Sequence, residues 1–393
     1  MHISNIVCPP CNLNGIPIRA GDEWATITAA QSASPDIFFL NKHIEMPQFG
    51  RGLLRMEGNG ADLQKGGPCR VLLANAAGTG YGDAICGSSA IRGMYLGLKD
   101  RGYLPEIDLL CMPHAHGVYR EIFSRDPHVH GVFVAGIPIA DFSSYHLIGT
   151  AEALLDDQGF QCINMIDYFF LRYGIESTTA RLPKLYPDQA ILDEVNAGWG
   201  EKEPDEKPLL LFNLFGSGFR RLPTWSWGKI CEMFLADGWR IALSGGNDAA
   251  NAIETFVKLK CGGKPISSIC SIANRSWSHF VALANIADAI VTPDSSLLHV
   301  AAALDKPCVG IFSCIEPWLR IQHYKKCMAW TADSFCRGPY WGMHKPRNEK
   351  QDCRKLELDP GWDIPWRKAD LSGIRRTLQT VWQKWRTQPE GKP

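Results

Sequence analysis

Neither sign of charge is in excess in this sequence: 41 Lys and Arg stand against 41 Asp and Glu. This argues against a broad nucleic-acid surface, because phosphate backbones are gripped by clustered, unbalanced positive charge. Long apolar runs are also missing. No stretch approaches the ~20 consecutive apolar residues that a bilayer-spanning helix needs. The opening residues Met1-His2-Ile3-Ser4-Asn5-Ile6 carry neither a basic leader nor an apolar core. A secretory signal is therefore not expected there, and a cytoplasmic location is. Closely spaced cysteine pairs are scarce as well. Cys8 and Cys11 form the one Cys-x-x-Cys among 14 cysteines.

What the sequence does hold is enough apolar material, 45% of 393 residues, for two large domains that each bury a core. In a cytoplasmic protein the cysteines stay reduced. Cys86, Cys111, Cys231 and Cys308 lie in apolar surroundings and read as small core residues.

Residues 1–68 do not share the strand–helix rhythm of the rest. They read as an N-terminal extension, β-rich, with short strands near 15–18, 24–28 and 36–40 and a linker at Lys65-Gly66-Gly67-Pro68. Residues 69–200 read as a first α/β domain. Arg70–Asn75 is a buried strand, Ala76–Asp83 a glycine-rich loop, and Ala84 to about Asp100 a helix; strands follow at 107–111 and 132–135. Gly78, Gly80 and Gly82 are spaced G-x-G-x-G and not G-x-G-x-x-G, which argues against a dinucleotide fingerprint. A helix over 164–175 ends at Gly174, and a charged, proline-bearing linker runs from Glu201 to Pro208.

Residues 208–365 read as a second α/β domain: a strand at 208–213, the loop Gly216–Pro223, a helix from Trp225, a strand and turn over 241–248, and a helix over 275–285. Its most informative stretch is Ala289 to Phe312. Ala289-Ile290-Val291 is a strand, Thr292–Ser296 a turn, Leu297–Leu304 a helix stopped by Lys306-Pro307, and Cys308–Phe312 the next strand. Asp294, Ser295 and Ser296 thus stand where a helix begins, a place suited either to capping or to binding phosphate. Residues 366–393 hold a basic amphipathic helix from Asp370 to Arg386. It either packs back on the domains, the favoured reading, or makes peripheral contact with an anionic membrane surface.

Asp294-Ser295-Ser296-Leu297-Leu298-His299, with the following Ala301-Ala302-Ala303-Leu304 and Lys306-Pro307, resembles the donor loop of glycosyltransferase family 9, which includes the ADP-heptose:lipopolysaccharide heptosyltransferases. Ser296 stands where the family has glycine. The resemblance extends to Gly82-Asp83 at the end of the first loop. It implies a GT-B architecture, two Rossmann-like domains facing a cleft, and an inverting transfer of a sugar, heptose first, from a nucleotide diphosphate sugar to an acceptor hydroxyl. It implies Asp83 as the general base. It also implies a donor site made of Arg220, with Arg221 as its substitute, together with Asp248, Asp294, Ser295, Ser296, Leu297 and His299. The donor is a nucleotide sugar such as ADP-heptose. The acceptor is a glycan, a lipid-linked sugar or a protein, and no cofactor is required for the chemistry.

Cys314, Cys327, Cys336 and Cys353 follow the last strand and are able, as four soft ligands, to hold a structural Zn or Fe. The chain is similar on this count, and in its N-terminal extension, to the branch of the family that modifies autotransporter proteins. The rival reading is a non-catalytic nucleotide-sugar or phosphate-binding module with an eroded active site. The changes at Ser296 and at Leu222, which stands where the family has Trp, favour it, and the retention of Asp83, Arg220, Asp294 and His299 disfavours it.

Overall fold

The computed structural model describes residues 64–74, 76–111, 113–134, 136–138, 144–150, 163–175, 181–199, 207–214, 220–245, 269–271, 276–313, 315–332 and 364–386. It also describes the strand segments 2–3, 16–20, 23–27, 37–39 and 54–56 and positions 251, 253 and 255. The chain divides into two compact units. Unit 1 is Met1–Asp157 with Met165–Tyr186, and unit 2 is Gln158–Asn164 with Pro187–Pro393.

Unit 1 opens with short strands: β1 (His2–Ile3), β2 (Ile16–Ala20), β3 (Glu23–Ile27), β4 (Ile37–Phe39) and β5 (Leu54–Met56). The α/β alternation follows: β6 (Pro68–Ala74), α1 (Tyr81–Asp100), β7 (Leu104–Cys111), α2 (His116–Phe123), β8 (Gly131–Val134), β9 (Gly136–Pro138), β10 (Leu147–Thr150) and α3 (Met165–Arg172). Its main sheet has the order β1-β5-β10-β6-β7-β8, with β10, β6, β7 and β8 all parallel. Leu72, Leu73, Leu109 and Leu110 are buried because helices cover the sheet. One buried carboxylate ties the strands together. Asp108 of β7 accepts hydrogen bonds from the Tyr145 hydroxyl at 2.7 Å and from Arg70 at 3.4 Å, and pairs with His130 Nδ1 at 2.9 Å. One side chain of β7 is thereby joined to β6 and to the residues that lead into β8 and β10.

Unit 2 continues with α4 (Gln189–Trp199), β11 (Leu209–Asn213), α5 (Thr224–Ala236), β12 (Arg240–Ser244), β13 (Ile269–Ser271), α6 (Trp277–Ile286), β14 (Ala289–Pro293), α7 (Ser296–Ala303), β15 (Cys308–Ile311), α8 (Trp318–Ile321), β16 (Cys327–Trp330), α9 (Ile364–Lys368) and α10 (Ser372–Arg386). Its sheet runs β13-β12-β11-β14-β15-β16 and every pairing is parallel. Counted from β11, this is the order 3-2-1-4-5-6 of a Rossmann fold. β11 and β14 are buried at every position, as central parallel strands must be. α10 lays Ile374, Leu378 and Val381 on this unit and packs on β15, β16 and α5. Its apolar stripe is therefore buried against its own unit. Among the described residues no helix is long and apolar enough to cross a membrane.

Two expectations shift. The helix after the first glycine-rich loop begins at Tyr81 and not Ala84, because Gly80 adopts an extended backbone as its N-cap and its carbonyl accepts the Ala84 N–H at 2.9 Å. The helix after β14 starts one residue earlier, at Ser296, and Asp305 at φ 56° ends it beside Lys306-Pro307.

The first loop packs tightly on its own helix. A Cβ built on Gly87 of α1 falls 2.5 Å from Ala77 Cβ and 3.0 Å from Ala77 Cα. Helix propensity alone predicts that Gly87→Ala stabilises α1 by about 1 kcal/mol. The overlap predicts the opposite, a net loss of roughly 1–3 kcal/mol. Chemical denaturation of the two proteins gives the sign; a more stable variant would show that the loop yields freely.

Candidate donor site and candidate base

In a sheet ordered 3-2-1-4-5-6, the loops after strands 1 and 4 depart to opposite faces and leave a crevice between their carboxyl ends. In unit 2 those strands are β11 and β14. Asn213 closes β11, and Thr292-Pro293 closes β14, followed by Asp294 and Ser295. The two loops are stitched together there. Asn213 Nδ2 donates to Ser295 Oγ at 2.8 Å, and Ser295 Oγ also pairs with Thr292 Oγ1 at 2.8 Å. Ser295 is the N-cap of α7, but its side chain makes no capping bond to the helix N–H groups.

Asp294 lies beneath this point, 2% exposed. Each of its oxygens meets a guanidinium: Arg320 Nε donates to Oδ1 and Arg220 Nη1 to Oδ2, both at 3.2 Å. Burial pushes this carboxyl up, but Arg320, and after it Arg220 and His299, outweigh burial and hold it at about 2. It is ionised throughout the physiological range. His299, one turn into α7 and buried, shares a 2.6 Å hydrogen bond between Nδ1 and the Tyr324 hydroxyl. Burial pushes its imidazole down to about 4, against the upward pull of Asp294 and with the help of the two arginines. It is neutral at pH 7.

The sequence-derived donor residues therefore divide. Arg220, Asp294, Ser295, Ser296, Leu297 and His299 gather around the start of α7, with Leu297 turned into the core. Arg221 is exposed, while its neighbour Arg220 reaches Asp294. Asp248 lies outside the described residues. Ser296, in the family's glycine position, is the first residue of a right-handed helix, so the serine brings no backbone strain. Sequence reading missed Arg320, Tyr324 and Asn213. The first two follow β15, the strand beside β14, so parallel topology brings their segment next to the α7 loop. Knowing the strand order would have pointed to them.

In unit 1, Asp83 is the third residue of α1, not its cap, and is partly exposed. The glycines of the loop leave it room. A Cβ on Gly78 (φ 67°) would lie 2.7 Å from Asp83 Cβ, and one on Gly80 3.1 Å from its Oδ2. Two buried tyrosines hold the base of the loop. Tyr119 accepts the Ala77 N–H at 2.8 Å, and Tyr173 donates to the Ala76 carbonyl at 2.7 Å. Burial raises the Tyr119 phenol, and the Asp83 charge adds to this.

Of the four cysteines considered for a metal, Cys314, Cys336 and Cys353 lie outside the described residues. Cys327 sits on β16 in register with Cys308 of β15, and the two thiols are hydrogen-bonded. Among the described residues no group of three or more His, Cys, Asp or Glu converges as a metal cage would.

Comparison with known proteins bears out the likeness to glycosyltransferase family 9. Residues 183–327 match the family described as Glycosyltransferase family 9 (heptosyltransferase). This stretch contains Arg220, Asp294, His299 and Arg320 but not Asp83. The lipopolysaccharide heptosyltransferase 2 of Salmonella typhimurium is 24% identical over 166 residues, which is 38% of this chain and 45% of that protein. The match thus spans less than half the length of that relative. Among solved structures, a glycosyl transferase family 9 protein of Veillonella parvula aligns with TM-score 0.56 and 13% identity, covering 83% of this chain and all of that one. The ADP-heptose lipopolysaccharide heptosyltransferase II of E. coli aligns with TM-score 0.51 and 17% identity, covering 66% of this chain and 90% of that one. These likenesses support a fold of two Rossmann-like α/β units.

The buried imidazole gives a pH signature. Between about pH 6.5 and 4, His299 is protonated in the unfolded chain and neutral in the folded one. The unfolded state binds the extra proton, so stability falls as pH falls through this window. From pH 7.5 to 5 the loss from this residue is roughly 2 kcal/mol at most. His299→Gln, which cannot take up a proton, is expected to flatten this part of the stability profile measured by denaturation. An unchanged slope would place the imidazole in contact with water.

Proposed function

We propose that this chain is a family 9 glycosyltransferase that moves a sugar, heptose in the first instance, from a nucleoside diphosphate sugar such as ADP-heptose to an acceptor hydroxyl with inversion. The observation that carries the reading is the arrangement at the start of α7. There Arg220, partly exposed, is held on a buried carboxylate beside a helix N-terminus, at the crevice of a Rossmann sheet. Helix N–H groups and a guanidinium fork are what a diphosphate needs. The family match over residues 183–327 covers the same residues. The heptosyltransferase relatives supply the choice of sugar and nucleotide.

In this reading Asp83 removes the proton from the acceptor hydroxyl as its oxygen attacks the anomeric carbon. The bond from that carbon to the diphosphate breaks, and the leaving group takes the electron pair. Arg220 and the N–H groups of α7 neutralise the charge that develops on it. Attack from the face opposite the leaving group inverts the anomeric centre. The acceptor is a hydroxyl of a glycan, a lipid-linked sugar or a protein.

ADP is expected to raise the melting temperature, and Arg220→Ala to weaken ADP binding by roughly 1.5–3 kcal/mol in calorimetric titration. No response to any nucleoside diphosphate would sink the reading. Asp83→Asn keeps the shape of the side chain and removes its basicity. With the true acceptor it should lower kcat by about 10²–10⁴-fold while donor affinity and stability stay near wild type. Near-normal turnover would move the base elsewhere. A protein that binds donor yet neither transfers nor hydrolyses it would be a binding module instead.

A further inference from the structure

Asp294 serves two arginines, and they are not equivalent. The Arg220 side chain is 30% exposed and reaches Asp294 from the end of the β11 loop. The Arg320 side chain is 7% exposed, on α8, with its own N–H bonded to the Pro317 carbonyl at 2.9 Å. The first residue of α8 is fixed from another part of unit 2, since Asn164 Nδ2 donates to the Trp318 carbonyl at 2.8 Å. A buried carboxylate held by one fixed, interior guanidinium has its second oxygen oriented before any ligand arrives.

We propose that Arg320 is a positioning residue: it fixes the Asp294 carboxylate so that Asp294 in turn holds Arg220 in place for the ligand's diphosphate. Asp294 then acts on the diphosphate through Arg220. The assignment rests on the nucleoside diphosphate reading and names the residue that sets up its phosphate contact. The charges support the order. Of the two arginine charges, that of Arg320 acts more strongly to keep Asp294 ionised against its burial, while Arg220 adds a hydrogen bond to its own charge. His299, also facing this carboxylate, is neutral and paired with Tyr324, so the pull on Asp294 comes chiefly from the guanidinium groups.

The test is a calorimetric titration of ADP and of adenosine into the full chain and its Arg320→Met, Arg320→Lys, Arg220→Met and doubly substituted (Arg220→Met, Arg320→Met) forms. Arg320→Met is expected to weaken ADP about tenfold and to leave adenosine within about twofold, because adenosine lacks the phosphates that Arg220 meets. Arg320→Lys restores charge without the fork and should recover part of the loss. In the Arg220→Met background, removing Arg320 should cost nearly nothing more, since its effect runs through Arg220. Three results overturn the role. Equal weakening of ADP and adenosine means general damage to the unit. An undiminished loss in the Arg220→Met background means that Arg320 meets the phosphates itself. Unchanged ADP affinity in a folded Arg320→Met protein means no role. Should Arg320→Met fail to fold, Arg320→Lys carries the same comparison, with wild-type ADP affinity as its overturning result. A wild-type protein that binds no nucleoside diphosphate overturns the functional reading itself, and this role with it.

Discussion

An ionised carboxylate with almost no access to water is the constraint around which unit 2 is arranged. Left alone, Asp294 would cost several kcal/mol to bury in ionised form. The fold removes that cost by bringing two guanidinium groups to it from segments 74 residues before and 26 residues after it. Both segments must be placed by the sheet. Arg220 lies just before α5, in a loop whose Leu222 is buried in the core along with Trp227 of α5, and Arg320 lies in α8 between β15 and β16. The electrostatics of the site and the order of the strands are therefore one fact seen at two scales. A permuted sheet would leave the carboxylate without its partners.

The same geometry explains why the crevice gathers polar groups where the sheet is otherwise apolar. β11 and β14 are buried throughout, yet each ends in a group that hydrogen-bonds outward: Asn213 on one, Thr292 followed by Asp294 and Ser295 on the other. Buried polar groups persist where they satisfy one another. Here the pairing also joins two loops that leave the sheet in different directions, which keeps the start of α7 in one position relative to β11.

Much of this was legible in the sequence, because the signals were local. Buried parallel strands read as short apolar runs, and the loop–helix junctions at Gly82-Asp83 and Asp294-Ser295 kept their residue order. What could not be read was long-range. Arg320 and Tyr324 have no motif of their own and acquire meaning only once β15 is known to lie beside β14. The start of α1 was misjudged because Gly80-Tyr81-Gly82 looks like loop by composition. A glycine N-cap followed by a helix reads the same as a longer turn until the backbone is seen. Strands as short as Leu147–Thr150 and Ile269–Ser271 carry too little periodicity to stand out, and the parallel pairing with β6 and β12 is what defines them.

The two tyrosines that grip the loop ahead of Asp83 have a thermodynamic consequence. Tyr119 comes from α2 and Tyr173 from just beyond α3, and each bonds to a main-chain group of adjacent residues, Ala77 and Ala76. A glycine-rich loop tethered at its base in this way loses its conformational freedom when the chain folds. Whatever molecule later meets Asp83 does not have to order that segment, so more of its contact free energy appears as affinity and as correct alignment of the reacting atoms.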